Sequence, residues 1–301
     1  MKKVHFVCLL ISFIFLLPLF ASGRDIAPVV STDWLEKNLT NPKIVMVDIR
    51  KVEEYKQGHI PNAVNLFLGS WAIKKKGLDL ELPENDDLFN LIGSAGITED
   101  SFVVVINKTD TDFDRVDATR VAWTIIYGGV ENVAILDGGY NKWLQEKKPV
   151  SIEMAKPNAV IYKGKVNKAE GPVSKEYVLS KIGKSSIVDA RAPDAYFGVS
   201  KAPYAEKAGH IQGAVNLPSQ WIFTKEGTVK GKEELSAMVA VVIGKDASKE
   251  IILYCGVGGN GSGWWFILKE VLGYKDVKLY DGSFQEWSKD PNAPVNRFSW
   301  H

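Results

Sequence analysis

"VDIRKVEEYKQGHIPNAVNL", Val47 to Leu66, returns later in the chain as "VDARAPDAYFGVSKAPYAEKAGHIQGAVNL", Val188 to Leu217. Each copy leaves a strand-like apolar run at Val-Asp and ends on Gly-His-Ile followed by Ala-Val-Asn-Leu. The second copy is ten residues longer between Asp and His (210 − 189 = 21, against 59 − 48 = 11). The likeness continues outward. "FVVVINK…YGGVENVAILDGGYNKWLQ", from Phe102, parallels "EIILYCGV…LGYKDVKLYDGSFQEWSK", from Glu250. In each, a buried-type strand is followed by a loop, a helix-length apolar segment, a second strand, Asp-Gly and an aromatic helix containing Trp143 or Trp287. Strands that alternate with helices make β-α units and a parallel sheet. A repeat this long is a duplicated domain, not a solenoid. The chain is therefore expected to be α/β, with two related domains, each a parallel sheet flanked by helices. They are placed at residues 24–148 and 171–301, with a lysine-rich linker of weak periodicity at 149–170. The length of 301 residues and the ordinary globular composition, 46% hydrophobic and 24% charged, suit two cores.

The first 23 residues stand apart from the repeat. Lys2 and Lys3 precede an apolar run from Val4 to Phe20, and Ala21–Gly23 supplies small residues for cleavage. This pattern predicts a secretory signal peptide; the rival reading is a retained anchor, because the run nears the short end of a spanning helix. Cleavage makes the protein exported, and periplasmic in a Gram-negative cell, with no membrane attachment. It also removes two lysines and no acid, taking the formal charge from +1 to −1. A near-neutral chain argues against nucleic acid or an anionic membrane as partner.

Of the two cysteines, Cys8 lies inside this leader, so the mature chain carries Cys255 alone. A lone thiol in an exported protein has no disulfide partner and reads as either reactive or inertly buried. Its context is "YCGVGGNGSGWWF", Tyr254 to Phe266. Cys255 ends a strand, where open α/β sheets place their sites. The following helix is expected from about Gly263 to Val271. Between them, the glycines permit backbone N–H groups to converge as an anion nest, reinforced by the helix N-terminus. Such a cradle is expected to lower the thiol pKa and to hold charge on sulfur. Trp264 and Trp265 read mostly as core. In the first copy the matching position is Asn107, followed by "KTDTDFD" with no glycine. That domain is therefore expected to be inactive.

Other chemistries fail on spacing. The position six residues beyond Cys255, where a cysteine phosphatase needs Arg, is Gly261; C-x-x-C is missing, and no G-K-[ST] completes the G-x-x-x-x-G-K-[ST] of a P-loop. His59, His210 and terminal His301 do not cluster with the cysteine as zinc ligands would. "DTDFD", Asp110 to Asp114, hints at a calcium loop, but Arg115 replaces the turn glycine and Val121 the closing Glu. It reads instead as an acidic loop capping a helix that starts near Asp117. No metal and no cofactor is expected.

The duplicated domain, the "VDAR…GHIQGAVNLP" segment and the strand-Cys-loop-helix of the second copy resemble the tandem-domain rhodanese family of thiosulfate and 3-mercaptopyruvate sulfurtransferases. The resemblance implies a second, catalytic domain in which the cysteine takes a sulfane sulfur from a small anionic donor. It then passes the resulting persulfide to a thiol or cyanide. Cys255 matches the nucleophile, and the segment Gly256, Val257, Gly258, Gly259, Asn260 and Gly261 matches the cradle. Arg191 matches a substrate-anion ligand, although Arg50 at the same place in the first copy equally suggests a structural ion pair. Asp48 and His59 match an Asp-His pair suited to proton transfer, although His210 repeats the turn and suggests a structural hydrogen bond. The chain departs from both enzyme types. Its loop lacks the basic residues of thiosulfate enzymes, and Val257 stands where mercaptopyruvate enzymes have Ser. A carboxylate donor on Arg191, helped by Lys201, or a persulfide is therefore expected over thiosulfate. The alternative to an enzyme is an exported carrier that holds persulfide without fast turnover.

Overall fold

The structure is a computed structural model that describes residues 24–300. The predicted signal peptide and Cys8 lie outside the described residues. Each repeat forms its own parallel sheet. In the first, the strands lie in the order Val29–Val30, Val133–Leu136, Phe102–Ile106, Ile44–Asp48, Val64–Asn65. In the second, Val277–Leu279, Ile251–Tyr254, Ser186–Asp189 and Val215–Asn216 repeat that order, and Pro172 bridges to Leu279 where the first domain has its edge strand. The central strands, "VVVI" and "IILY", are buried along their length, as strands covered by helices on both faces must be.

Two helices join the halves. Asp112–Tyr127 begins at Thr111, whose hydroxyl accepts from the Asp114 N–H while the Asp114 carboxylate accepts from the Thr111 N–H. The helix therefore starts five residues before the expected Asp117. The acidic stretch is its capping box and first turn, where carboxylates meet the positive end of the helix. In the second domain the helix is Gly259–Phe266, and a π-helical turn, Ile267–Val271, follows it. It begins four residues before the expected Gly263, so only three residues separate it from Cys255. Two glycines read as loop, Gly259 and Gly261, thus lie within the helix, with Gly263 beside them. A Cβ on Gly263 would come within 3.3 Å of Val116, and one on Gly261 within 2.8 Å of Leu279. Their absence lets the helix settle between its own sheet and the Asp112–Tyr127 helix.

The contact is a core, not a seam. One cluster of buried apolar residues runs from Val47, Val105 and Trp123 of the first domain to Val188, Leu253 and Trp265 of the second. Trp123 and Trp265 meet edge-to-face at 6.4 Å. The Arg120 guanidinium grips both oxygens of Asp281 across the boundary, one of them at 3.2 Å. The connecting segment is also held down. Val160 N–H donates to Gly93 at 2.9 Å, and the Tyr162 hydroxyl donates to the Gly128 carbonyl at 3.0 Å. Among the described residues no helix is long and apolar enough to cross a membrane.

Candidate active site

Cys255 lies just past the end of its strand, 2% exposed. The next two residues turn the chain, and Gly258 adopts φ +90°, which aims its N–H at Cys255 Sγ, 3.1 Å away. The amides of Val257 and Gly261 also favour negative charge on this sulfur. Ser283 Oγ lies 3.9 Å from it and accepts the Cys255 N–H at 3.1 Å. The expected cradle is therefore present, but it does not decide the thiol's acidity. Burial pushes the Cys255 thiol up, and these donors only partly pull it back. The expectation of a lowered pKa is corrected on that ground: the strand end is sunk in the core, and desolvation of a thiolate outweighs a few amides.

Gly258 and Gly256 are required for different reasons. A Cβ on Gly258 would combine positive φ with an approach of 2.6 Å to Asp281. A Cβ on Gly256 would fall 2.2 Å from the Tyr204 hydroxyl. Tyr204 comes from the ten-residue insertion, and its hydroxyl lies under the influence of the Arg191 charge. The insertion's length marked this region, but nothing in the sequence distinguished Tyr204 within it.

Cys255 opens on a cavity of about 560 Å3. Val257, Gly259 and Asn260 line it, as do Arg191, Ala192, Tyr204 and Asp194 of the second domain. The opposite wall belongs to the first domain: Leu80, Asp112, Phe113, Val116 and Asp117. Lys201 is exposed, and its neighbours Ala202 and Pro203 form the wall.

Arg191 reaches the cavity already engaged. Its Nε donates to Asp189 at 3.0 Å, and its Nη2 donates to Asp189 at 2.5 Å and to the Gly209 carbonyl at 2.7 Å. Arg50 repeats this with Asp48 at 3.0 and 2.6 Å and with Gly58 at 2.9 Å. Asp48 and His59 do not line the cavity. Asp48 holds Arg50, and His59 stacks on Tyr55 at 3.7 Å with ring nitrogens against the Tyr55 and Glu153 carbonyls. His210 stacks on Tyr196 at 3.8 Å in the matching place. The repeated Asp-Arg and Gly-His elements thus brace the turn that follows each strand, once per domain.

Ser283 is a site residue that the sequence reading missed, and its signal was there. "DGGY", Asp137 to Tyr140, aligns with "DGSF", Asp281 to Phe284. Gly139 has φ +57°, and Ser283 is held at φ +51° in the same left-handed region. A serine there is strained by about 1–3 kcal/mol, and its hydroxyl faces Cys255.

A model of the rhodanese-like domain matches residues 31–146 and again 174–290. The chain is 34% identical to "Putative thiosulfate sulfurtransferase" of Mycolicibacterium smegmatis, over 88% of this chain and 96% of that one. It is 31% identical to "Sulfur carrier protein TtuD" of Thermus thermophilus, over 88% and 95%. Among solved structures it superposes on the anaerobic ergothioneine biosynthesis enzyme of Chlorobium limicola with a TM-score of 0.78 at 23% identity, covering 90% of this chain and 70% of that one. Another structure of this fold, EanB, holds ergothioneine covalently linked with a cysteine persulfide, at a TM-score of 0.77 and 24% identity, with the same coverage. With both halves matched and relatives aligned along nearly their full length, the chain belongs to the rhodanese family of sulfurtransferases and sulfur carriers, as a tandem of two rhodanese-like domains.

Proposed function

We propose that Cys255 carries sulfane sulfur as a persulfide, taking it from a small donor in the cavity and passing it to a thiol or cyanide. The observation that supports this best is the convergence of the Gly258, Val257 and Gly261 amides on one sulfur at the floor of a cavity. Sγ carries the negative charge when the thiolate attacks the donor and again when it is released on discharge. Fixed amide dipoles stabilise that charge without reorganising during transfer. The test is Cys255→Ser assayed against a panel of donors, with cyanide and with a thiol as acceptors. Transfer should fall to background while the unfolding transition is unchanged; retained transfer would remove Cys255 from the mechanism.

The donor is read from charge. Three carboxylates line the cavity, Asp112, Asp117 and Asp194, and the one arginine is paired with Asp189. That wall disfavours a dianion, so 3-mercaptopyruvate or an organic persulfide is expected to show a higher kcat/KM than thiosulfate. The remaining edge of Arg191, beside the Tyr204 hydroxyl, is the contact for a carboxylate. Side-by-side kinetics with the two donors test this, and a preference for thiosulfate would show that the amides alone select the donor. A carrier reading draws on the burial of Cys255 and the likeness to the Thermus sulfur carrier. It expects a stable persulfide by mass spectrometry with slow discharge to every small acceptor. We place the protein outside the cytoplasm on the strength of residues 1–23, and N-terminal sequencing of secreted material tests it.

A further inference from the structure

Burial pushes the Cys255 thiol up, so sulfur chemistry at neutral pH calls for a group that can take its proton. His59 and His210 are each fully buried in their own domain. The other ionisable side chains on the cavity wall are Asp112, Asp117, Arg191, Asp194 and Tyr204. Four are unsuited. Asp112 accepts from Arg115 at 2.9 Å, Asp194 accepts from the Ser200 hydroxyl at 2.6 Å, Arg191 is held by Asp189, and burial keeps the Tyr204 phenol protonated, its pKa pushed up to about 12. The Asp117 carboxylate makes no hydrogen bond or ion pair with any described residue. It lies on the Asp112–Tyr127 helix beside Val116 and one turn beyond Phe113, on the wall that faces the cysteine from the other domain.

Its surroundings suit a proton acceptor. Burial and the carboxylate of Asp114, one turn earlier, raise its pKa to about 7, with Lys108 opposing them. From the second domain, Arg191, Asp194, Tyr204 and Cys255 border the same space. A carboxyl that titrates near the working pH is matched to general acid–base catalysis.

We propose that Asp117 is the proton-transferring residue of this site, supplied by the first domain to the cysteine of the second. In the loading step its carboxylate takes the Cys255 proton. With an organic persulfide as donor, the thiolate attacks its outer sulfur, one S–S bond forms as the donor's S–S bond breaks, and the departing thiolate leaves with the proton from Asp117. In discharge the same carboxylate takes the acceptor thiol's proton. The acceptor bonds to the outer sulfur, the Cys255 S–S bond breaks, and the proton returns to the Cys255 thiolate. Each step exchanges one S–S bond for another with no net oxidation and no net proton.

The inference rests on Cys255 as the sulfur carrier, and the test separates the two. Cys255 is loaded with an organic persulfide and discharged to dithiothreitol in single turnovers from pH 5.5 to 9. Because the ionised carboxylate is the active form, the wild-type rate should rise through about pH 7. Asp117→Asn should lower the neutral-pH rate by about 100-fold and erase that limb. Asp117→Glu should keep a limb, displaced in pH, and formate should partly restore Asp117→Ala. The inference fails if Asp117→Asn keeps the wild-type profile or loses rate equally at every pH. If the Asn variant does not fold, a Glu variant whose limb does not move, or an Ala variant indifferent to formate, overturns it equally. If Cys255→Ser still transfers sulfur, the function reading falls and this one with it. If Cys255→Ser is inert while Asp117→Asn runs the wild-type profile, only this inference falls.

Discussion

The two domains agree where a catalytic role was expected and differ where it was not. Asp48–Arg50–Gly58 and Asp189–Arg191–Gly209 make the same bonds to within 0.2 Å. The Tyr55–His59 and Tyr196–His210 stacks differ by 0.1 Å. Asn65 and Asn216 each donate to two carbonyls at 2.9 Å, flanking the Asp-x-Arg turn. What both domains keep cannot be what makes one of them reactive. The differences that bear on the chemistry lie at one strand end and in the loops around it. In the first domain, Asn107 Nδ2 donates into the next helix at the Asp114 carbonyl, 2.7 Å away, and Lys108 pairs with Glu54 at 3.0 Å. In the second, Cys255 is followed by a glycine turn, and Ser283 replaces Gly139.

The sharpest challenge to this comparison is to remove the shared arginine from each side in turn. Arg50→Ala and Arg191→Ala each strand a buried carboxylate, so each should destabilise the protein by about 3–5 kcal/mol in chemical denaturation. Near-equal losses would show that the pair is a brace in both domains. A loss confined to Arg50→Ala, with Arg191→Ala stable but unable to use a carboxylate donor, would return Arg191 to substrate binding.

A smaller effect is expected at Gly258, whose left-handed backbone has no counterpart beside Asn107. Gly258→Ala places a Cβ 2.6 Å from Asp281 at φ +90° and should cost about 1–3 kcal/mol. It should also slow sulfur transfer, because the N–H aimed at Cys255 moves. Loss of stability at full activity would separate the turn from the cradle.

Ser283→Gly restores the first domain's residue. Relief of strain offsets the lost hydrogen bonds, so stability should change by less than about 1 kcal/mol. Reactivity should nonetheless fall. Burial already holds the thiol above its ordinary range, so alkylation of the wild type by iodoacetamide should reach its midpoint above the usual thiol value of about 8.5. Without the Ser283 hydroxyl the midpoint should move higher still. A midpoint that moves down, or a marked gain in stability, would show that the serine is not part of the thiol's environment.

The least effect is expected from building a thiol into the silent domain. Asn107→Cys in a Cys255→Ser background should recover no transfer, since no glycine turn and no Tyr204 counterpart surround position 107. Recovery would mean that the strand end alone makes the site.

Much of this was legible before the structure because duplication is itself a measurement. Two copies of "GHI…AVNL" and two of Val-Asp-x-Arg pointed to the domain pair, the alternating strands and helices pointed to parallel sheets, and only one copy held the cysteine. Where the reading went astray, the physics was non-local. Gly259 looked like loop because a glycine's helical state depends on what packs against it, here Leu80 from the other half. Thr111 was passed over as a cap because the acids around it were weighed as metal ligands. The thiol's acidity could not be judged from neighbours in sequence, because burial of the strand end, the larger effect, comes from the whole core. Asp117 escaped for a related reason: nothing near it in the chain indicates that it faces a cysteine on another domain.

The helix pair at the boundary also bears on why the halves remain in one chain. A twofold dimer brings identical patches together, so whatever is large on one side is large on the other. Here the first-domain helix presents Val116, Thr119, Arg120 and Trp123, and the second presents Ser262, Gly263 and Trp265, with Thr119 and Ser262 hydroxyls 3.2 Å apart. Two copies of the first face would set guanidinium against guanidinium, without the Asp281 carboxylate that Arg120 grips here. The two faces are unlike, and a pair of first halves therefore cannot rebuild this contact by dimerising. Joining unlike copies in one chain lets the half with Asn107 at the cysteine's place serve as the other's wall.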